Sequence, residues 1–132
     1  MNALVDKPNT LQHSEYKQVK KYEIWMCEMR PGSGSEQVGT RPCIVLSNNI
    51  GNKYSPTVLV APLTSSIAKT KIPTHVMVSS SNEGLERDST VLLEQIVTLN
   101  KSRLKYKICV PNEREKCNID TALLISFGMF SA

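Results

Sequence analysis

An arginine stands directly before a proline at the end of a glycine-rich stretch, and this pair carries the clearest chemical signal in the sequence. The stretch from Arg30 to Thr40 predicts a loop because of its glycines. Pro42 restricts the backbone of Arg41 to extended geometry, so the guanidinium is presented from a fixed anchor. Its planar fork of donors matches phosphate oxygens. A salt bridge with Glu36 or Asp88 is the structural alternative, and the residue types alone favour it.

The predicted topology brings a threonine toward this arginine. Apolar runs at Cys43–Ser47 and Thr57–Leu63 predict two strands, joined by the turn-forming sequence NNIGNKYSP. If the strands form an antiparallel hairpin, Arg41 at the start of the first and Thr64 at the end of the second lie at the same end. A cation and a hydroxyl then stand near each other. Capping of a turn is the alternative role for the threonine.

Basic and aromatic side chains elsewhere could bind a nucleic acid if they converge on one groove. They are Lys53, Lys69, Lys71, Arg87, Arg103, Lys105 and Lys107, with Trp25, Tyr54 and Tyr106 as candidate stacking partners. A charged face of this kind is more often simply solvated. His75 alternates with its neighbours in a predicted strand, which favours a structural role over a catalytic one.

The elements that must position these residues are short strands followed by one helix. Further strands are predicted at Lys20–Met29, at Pro73–Ser79, at Ser89–Leu99 (one bent strand or two short ones) and at Arg103–Val110. In the last of these, alternation places Leu104, Tyr106, Ile108 and Val110 on one face. The pattern predicts the α+β class, as a small, strongly bent antiparallel barrel.

The C-terminal region changes to a helical period. Asn112 can cap a helix, and Glu115 occupies the capping-box position three residues later. The apolar residues that follow recur at helical spacing, which predicts one C-terminal helix packed on the sheet or on a partner subunit.

Length and composition indicate one soluble domain, with 132 residues of which 40% are hydrophobic and 21% charged. Residues 1–19 are polar and predict a flexible N-terminal extension, and residues 20–132 form the domain. The net charge of +4 gives only a mild preference for anionic partners. No apolar stretch approaches the roughly 20 residues of a membrane span, and the N-terminus lacks a signal-peptide core. We therefore expect a cytoplasmic protein without membrane contact.

The four cysteines and two histidines are too scattered for a zinc site, so neither a metal nor another cofactor is predicted. Cys27, Cys43 and Cys109 each lie in an apolar, strand-like run. This setting predicts buried free thiols.

The segment GSEQVGTRPCIVLSNNIGNKYSPTVLVAPLTS, from Gly34 to Ser65, closely resembles the MazF/PemK (Kid) toxins of type II toxin–antitoxin systems. KIPTHVMV and GLERDSTVLLEQIVTLNKSRL continue the resemblance, which covers roughly Tyr22 to Phe130 and is nearest to MazF proteins of Gram-positive bacteria. It implies a small SH3-like, CcdB-like β-barrel with a long C-terminal α-helix, assembled as a homodimer.

The resemblance also implies an activity and a site. Such toxins are metal-independent, ribosome-independent endoribonucleases (mRNA interferases). They cut single-stranded RNA at short motifs, leave 2′,3′-cyclic phosphate and 5′-hydroxyl ends, and are neutralised by a cognate antitoxin. By this resemblance Arg41 and Thr64 are the catalytic residues. Residues implied to bind RNA or support the site are Ser35, Glu36, Gln37, Ser65, Glu94 and Gln95, although the last two could equally be polar residues at a strand bend.

The chain departs from the family pattern in two places. Members usually begin the first strand with Gly-Asp, where this chain has Tyr22 and Glu23, and its first 20 or so residues exceed the usual start. Two other functions stand as alternatives. A CcdB-like gyrase-inhibiting toxin would not need Arg41 or Thr64, and the GSEQ and RP motifs argue against it. A non-catalytic RNA-binding barrel would bind in the same groove without cutting.

Overall fold

The structure, a computed structural model, describes residues 17–29, 39–65 and 72–131, so most of the predicted N-terminal extension lies outside it. The elements are, in chain order, β1 (Ile24–Glu28), β2 (Thr40–Val45), α1 (Asn49–Tyr54), β3 (Thr57–Thr64), β4 (His75–Val78), β5 (Ser89–Leu92), β6 (Val97–Asn100), a 3₁₀ turn (Lys101–Arg103), β7 (Leu104–Cys109) and α2 (Glu113–Ser126). None of the helices in the described ranges is both long and apolar enough to cross a bilayer.

The strands pair antiparallel in the order β4-β5-β3-β2-β1-β7, and β6 pairs with β3 on the edge opposite β2. The long β3 holds the sheet together, because its first half pairs with β6, its middle with β2 and its last two residues with β5. The α+β class with a terminal helix is therefore confirmed. The described strands form a bent, open sheet rather than a closed barrel, since β4 and β7 end its two edges.

Local hydrogen bonds explain the two helices. The C-terminal helix is confirmed with its capping box: the Asn112 side chain accepts from the Glu115 N–H at 2.8 Å, and the Glu115 carboxylate accepts from the Asn112 N–H at 3.0 Å. Helix α1 occupies part of the segment that the sequence predicts as a simple turn. There the Asn48 side chain accepts from the Gly51 N–H at 2.8 Å and caps one short helical turn.

Two hydrophobic cores lie on opposite faces of the central strands. Helix α2 covers one face and buries Ile119 and Ala122 against a cluster that includes Ile24, Ile44 and Leu63. The second core gathers Val19, Trp25, Cys27, Met29, Cys43, Val45, Val58, Val60, Leu99 and Leu104. Because both faces of β1 and β2 are packed, the backbone of these two strands is a firm support for any side chain at their ends.

Cys27 and Cys43 are joined by a disulfide with their Cα atoms 6.2 Å apart, so the prediction of free thiols at these two positions is wrong. Cys27 lies opposite Arg41 in the β1–β2 ladder, and the bond runs diagonally between the two strands. Strand pairing brings together two residues separated by 16 positions, which their spacing along the chain does not reveal. Cys109 is a free, half-buried thiol as predicted, and its burial followed by the Glu115 carboxylate raises its pKa.

Tyr22 and Glu23 mark one of the two places where the sequence departs from the family that it resembles. These two residues connect three parts of the fold. Tyr22 has a φ of 77°, a left-handed conformation that favours glycine. Its hydroxyl compensates by donating to the Asp120 carboxylate on α2, with oxygen–oxygen distances of 2.6 and 2.8 Å. The buried Glu23 carboxylate accepts from the Trp25 indole at 3.1 Å and from the Lys107 ammonium at 3.2 Å.

This contact predicts a pH dependence of stability. Burial, followed by the hydrogen bond with Asp120, raises the pKa of Tyr22 to about 12, against about 10 in an unfolded chain. A raised folded-state pKa contributes stability that is fully present below about pH 10 and is lost as the pH rises toward 12. We therefore expect the free energy of unfolding, measured by denaturant titration, to fall more steeply over this range in the wild type than in Tyr22→Phe. Tyr54→Phe, which changes an exposed ring, should follow the wild type, and parallel curves for Tyr22→Phe and the wild type would refute the assignment.

Candidate active site

The β2–β3 hairpin brings Arg41 and Thr64 to the same end of the strand pair. Strands β2 and β3 pair with Cys43 opposite Pro62, Ile44 opposite Ala61 and Val45 opposite Val60. Arg41 and Thr64 each lie two residues beyond the last of these pairs, Cys43–Pro62, at the end of the hairpin away from α1. The Arg41 guanidinium donates to the Leu63 carbonyl at 3.4 Å, which shows that it reaches the end of β3.

Pro42 sits inside β2 rather than before it, because the strand begins at Thr40 and not at Cys43 as predicted. Its backbone is opposite Met26 of β1, whereas the ladder with β3 begins only at Cys43. A proline fits at this position because β2 is not yet paired with β3 at residue 42. The N–H that proline lacks would point toward β3, so no hydrogen bond of the β2–β3 ladder is lost. The backbone of Arg41 is thus paired with Cys27 of β1 on one edge of the strand. The other edge of β2 has not yet entered the ladder with β3 at this residue and borders a groove.

This groove, which we call the Arg41 groove, has a volume of about 450 Å³. Its apolar lining consists of Met26, Pro42, Leu63, Leu85 and Ile108, and its other lining residues are Thr40, Arg41, Thr64, Ser65, Gly84, Glu86, Arg87, Ser89 and Tyr106. Five of the residues singled out in the sequence therefore share one concave surface: Arg41, Thr64, Ser65, Arg87 and Tyr106. A concave surface that combines apolar side chains with convergent polar groups is typical of a ligand site.

The stretch from Gly84 to Arg87 also lines the groove, together with Ser89 at the start of a predicted strand. Gly84 has a φ of 104°, and a Cβ there would lie 2.3 Å from the Ile108 carbonyl oxygen of β7. The segment can approach the sheet this closely only because residue 84 is glycine. That glycine, within GLERDS, was the available signal that this loop packs on the sheet and reaches the groove.

The charge of the groove suits an anion. In the part of the lining that the structure describes, the cations are Arg41 and Arg87 and the carboxylate is Glu86. Among the described residues, no group of three or more His, Cys, Asp or Glu is arranged to hold a metal ion. Both of these cations are guanidinium groups, which bind phosphate oxygens in a planar, two-pronged geometry.

Glu94 and Gln95 lie elsewhere, in the turn between β5 and β6. The Glu94 carboxylate accepts from the Thr74 hydroxyl at 3.1 Å and contacts the His75 imidazole at 3.0 Å, while the Gln95 N–H donates to the Leu92 carbonyl. Neither residue is among those that line the Arg41 groove. These contacts agree with the strand-bend alternative for Glu94 and with a structural role for His75. Ser35, Glu36 and Gln37 lie outside the described residues.

Comparison with known proteins gives both a family match and a close relative. Residues 20–127 match the family described as PemK-like, MazF-like toxin of type II toxin–antitoxin system. A protein of Staphylococcus epidermidis named Endoribonuclease MazF is 45% identical over 111 residues, which are 84% of this chain and 92% of that protein. The match thus includes the whole sheet, the groove and helix α2.

Solved structures with lower identity share the fold. The crystal structure of MazF from Deinococcus radiodurans has a TM-score of 0.72 at 24% identity, covering 86% of this chain and 99% of that one. A mycobacterial endoribonuclease in complex with its cognate antitoxin has a TM-score of 0.68 at 24% identity, covering 86% and 99%. At this level of identity these structures support the architecture alone.

Proposed function

Because the chain belongs to the family of PemK-like, MazF-like toxins of type II toxin–antitoxin systems, we propose that it is an endoribonuclease toxin that cuts single-stranded RNA in the Arg41 groove. The observation that carries the proposal is that Arg41 on β2 and Thr64 at the end of β3 lie at the same end of the hairpin and line one groove. The 45% identity to a named endoribonuclease supports the same activity.

The reaction that suits these groups is an internal transesterification of RNA. The 2′-oxygen forms a bond to the adjacent phosphorus, and the bond from that phosphorus to the 5′-oxygen of the next nucleotide breaks. The 2′-hydroxyl loses its proton and the leaving 5′-oxygen gains one, so the products are a 2′,3′-cyclic phosphate and a 5′-hydroxyl. DNA is not a substrate because it has no 2′-hydroxyl.

Each residue has a role that its chemistry permits. The Arg41 guanidinium stabilises the negative charge that develops on the phosphate oxygens, and it donates to the leaving oxygen. An arginine stays protonated at neutral pH, which makes it a donor and not a base. The Thr64 hydroxyl donates to a non-bridging oxygen or orients the attacking 2′-hydroxyl, and Ser65 supports it from the same wall of the groove.

The proposal extends to the partners and location of the protein. A cognate antitoxin neutralises the toxin, as expected from its family and from the relative that is solved with its own antitoxin. Leu124, Phe127, Met129 and Phe130 near the end of α2 are all large, apolar and exposed, and they suit burial in a homodimer. The substrate is cellular mRNA, which implies a cytoplasmic location.

The test is incubation of purified, antitoxin-free protein with a long single-stranded RNA in EDTA, followed by mapping of the ends. We expect cuts at a short recurring motif, with 2′,3′-cyclic phosphate ends and no need for ribosomes or added metal. DNA of the same sequence serves as the matched negative control. Uncut RNA from a folded protein would contradict the nuclease and favour the non-catalytic RNA-binding alternative.

A further inference from the structure

We propose that Tyr106 is the residue on which a base of the bound RNA stacks, and that it helps to determine which nucleotide beside the scissile phosphate is accepted. This inference rests on the proposed function. It adds a specificity residue on β7, a strand that contributes neither Arg41 nor Thr64.

Tyr106 belongs to a row of side chains that crosses the sheet toward the proposed catalytic arginine. It lies opposite Met26 of β1, and Met26 lies opposite Pro42 of β2, the residue next to Arg41. Directly opposite residues in an antiparallel pair project to the same face, so these three side chains line one strip of the Arg41 groove. Two strand spacings separate Tyr106 from Pro42, roughly 10 Å. A base can therefore reach the ring while its nucleotide, or the neighbouring one, presents its phosphate to Arg41.

Two irregularities in the strand direct Tyr106 into the groove. The β1–β7 ladder shifts register between Ile24 and Trp25 and again between Met26 and Cys27, so the pair Tyr106–Lys107 sits between two bulges. Unbroken alternation predicts Leu104 and Tyr106 on one face. Instead Leu104 is fully buried in the core that contains Trp25 and Cys27, whereas Tyr106 lines the groove. Bulges commonly re-aim a side chain beside a functional site.

The exposure of the Tyr106 ring indicates that it does not contribute to the hydrophobic core of this chain. Helix α2 covers the part of this sheet face around Ile24 and Ile44, and both residues are fully buried. Tyr106, further along the same face, remains 57% exposed. Among the described lining residues of the groove it is the one aromatic side chain. An exposed ring in the same groove as two guanidinium groups is the arrangement by which single-stranded RNA is bound: aromatics stack on bases and cations hold phosphates.

The test separates base stacking from other roles by pairing a protein change with an RNA change. The probe is a single-stranded oligoribonucleotide that contains the mapped cleavage site, with a 2′-deoxy sugar at the attacking position so that it binds without being cut. Kd is measured by fluorescence anisotropy for the wild type, Tyr106→Phe, Tyr106→Leu and Tyr106→Ala. The same measurements are repeated with an abasic sugar at each position flanking the cleavage site in turn.

We expect Tyr106→Phe to bind within about twofold of the wild type, and Tyr106→Ala to bind about 10-fold more weakly. Tyr106→Leu, which keeps apolar bulk without a stacking face, should resemble Tyr106→Ala. One abasic position should weaken wild-type binding by a similar factor and have almost no further effect in Tyr106→Ala, since the two changes remove the same contact. Tyr54→Ala removes an equally exposed ring on α1, outside the groove lining, and should bind as the wild type does.

The inference is overturned if every abasic position weakens Tyr106→Ala as much as it weakens the wild type. It is also overturned if Tyr106→Ala binds RNA normally but changes the oligomeric state, because the ring would then serve a protein contact. Both results leave the wild-type nuclease active on unmodified RNA. Failure of the proposed function would instead appear as absence of cutting by the wild type.

Discussion

Arg41→Ala is expected to lower kcat/KM for RNA cleavage by about 10³-fold, the largest effect of any single change in this chain. Removing one donor that stabilises transition-state charge costs about 10²–10³-fold, and loss of the hydrogen bond to the leaving oxygen adds to it. Arg41→Lys should recover only a small part, because an ammonium keeps the charge but not the planar fork. The measurement is the initial rate of cleavage of an oligoribonucleotide under kcat/KM conditions.

Arg114→Ala is the matched control, since it removes the same charge from an exposed site on α2 outside the groove lining. It should cut within a few-fold of the wild type. The structure of Arg41→Ala should persist, because the arginine is only partly buried and the strand beneath it is packed on both faces. A folded Arg41→Ala variant with near-wild-type cleavage would remove Arg41 from the catalytic machinery.

Thr64→Val should lower kcat/KM by about 10²-fold, the cost of one hydrogen bond made in the transition state. Valine keeps the shape and the branched Cβ that suit the end of β3, and it removes only the hydroxyl. Thr64→Ser restores a hydroxyl and should recover most of the rate. Because the interaction is proposed for the transition state, the loss should appear in kcat with little change in KM.

Thr98→Val offers a comparison for this change. Thr98 is an exposed threonine on β6, opposite Leu59 in the β3–β6 ladder and outside the groove lining. Its replacement should leave cleavage unaffected. If Thr64→Val and Thr98→Val cut equally well, the Thr64 hydroxyl has no part in the chemistry and its role is confined to the turn.

Features that depend on neighbours along the chain could be predicted from the sequence. The Asn112–Glu115 capping box is a three-residue pattern, and the C-terminal helix begins where the pattern places it. The hairpin needed only two apolar runs and a turn, and it brings Arg41 and Thr64 to the same end of the β2–β3 pair, where both line the groove. Topology alone, without knowledge of side-chain positions, was sufficient to bring this proposed site together.

Features that depend on contacts between distant segments could not be predicted. The diagonal partnership of Cys27 and Cys43 follows from the exact ladder between β1 and β2. The Tyr106 side chain lies on the groove side of the sheet because of two bulges in the β1–β7 ladder. Strict alternation of side chains along β7 does not predict these bulges. The wall formed by Gly84 and its neighbours depends on the approach of a loop to the Ile108 carbonyl of β7, nearly 25 residues later. In each case the decisive partner is remote in sequence.

The disulfide between Cys27 and Cys43 helps to keep the strands beside the Arg41 groove in one arrangement. Sheets open locally from their ends, and Arg41 lies near one end of the β1–β2 ladder, next to the last pair, Glu28–Thr40. Cys27 lies opposite Arg41, and Cys43 lies two residues further along β2. When hydrogen bonds at this end break, the covalent link keeps the two strands at a high effective concentration. The ladder then re-forms quickly in the same register, so the arginine returns to the same position after each opening.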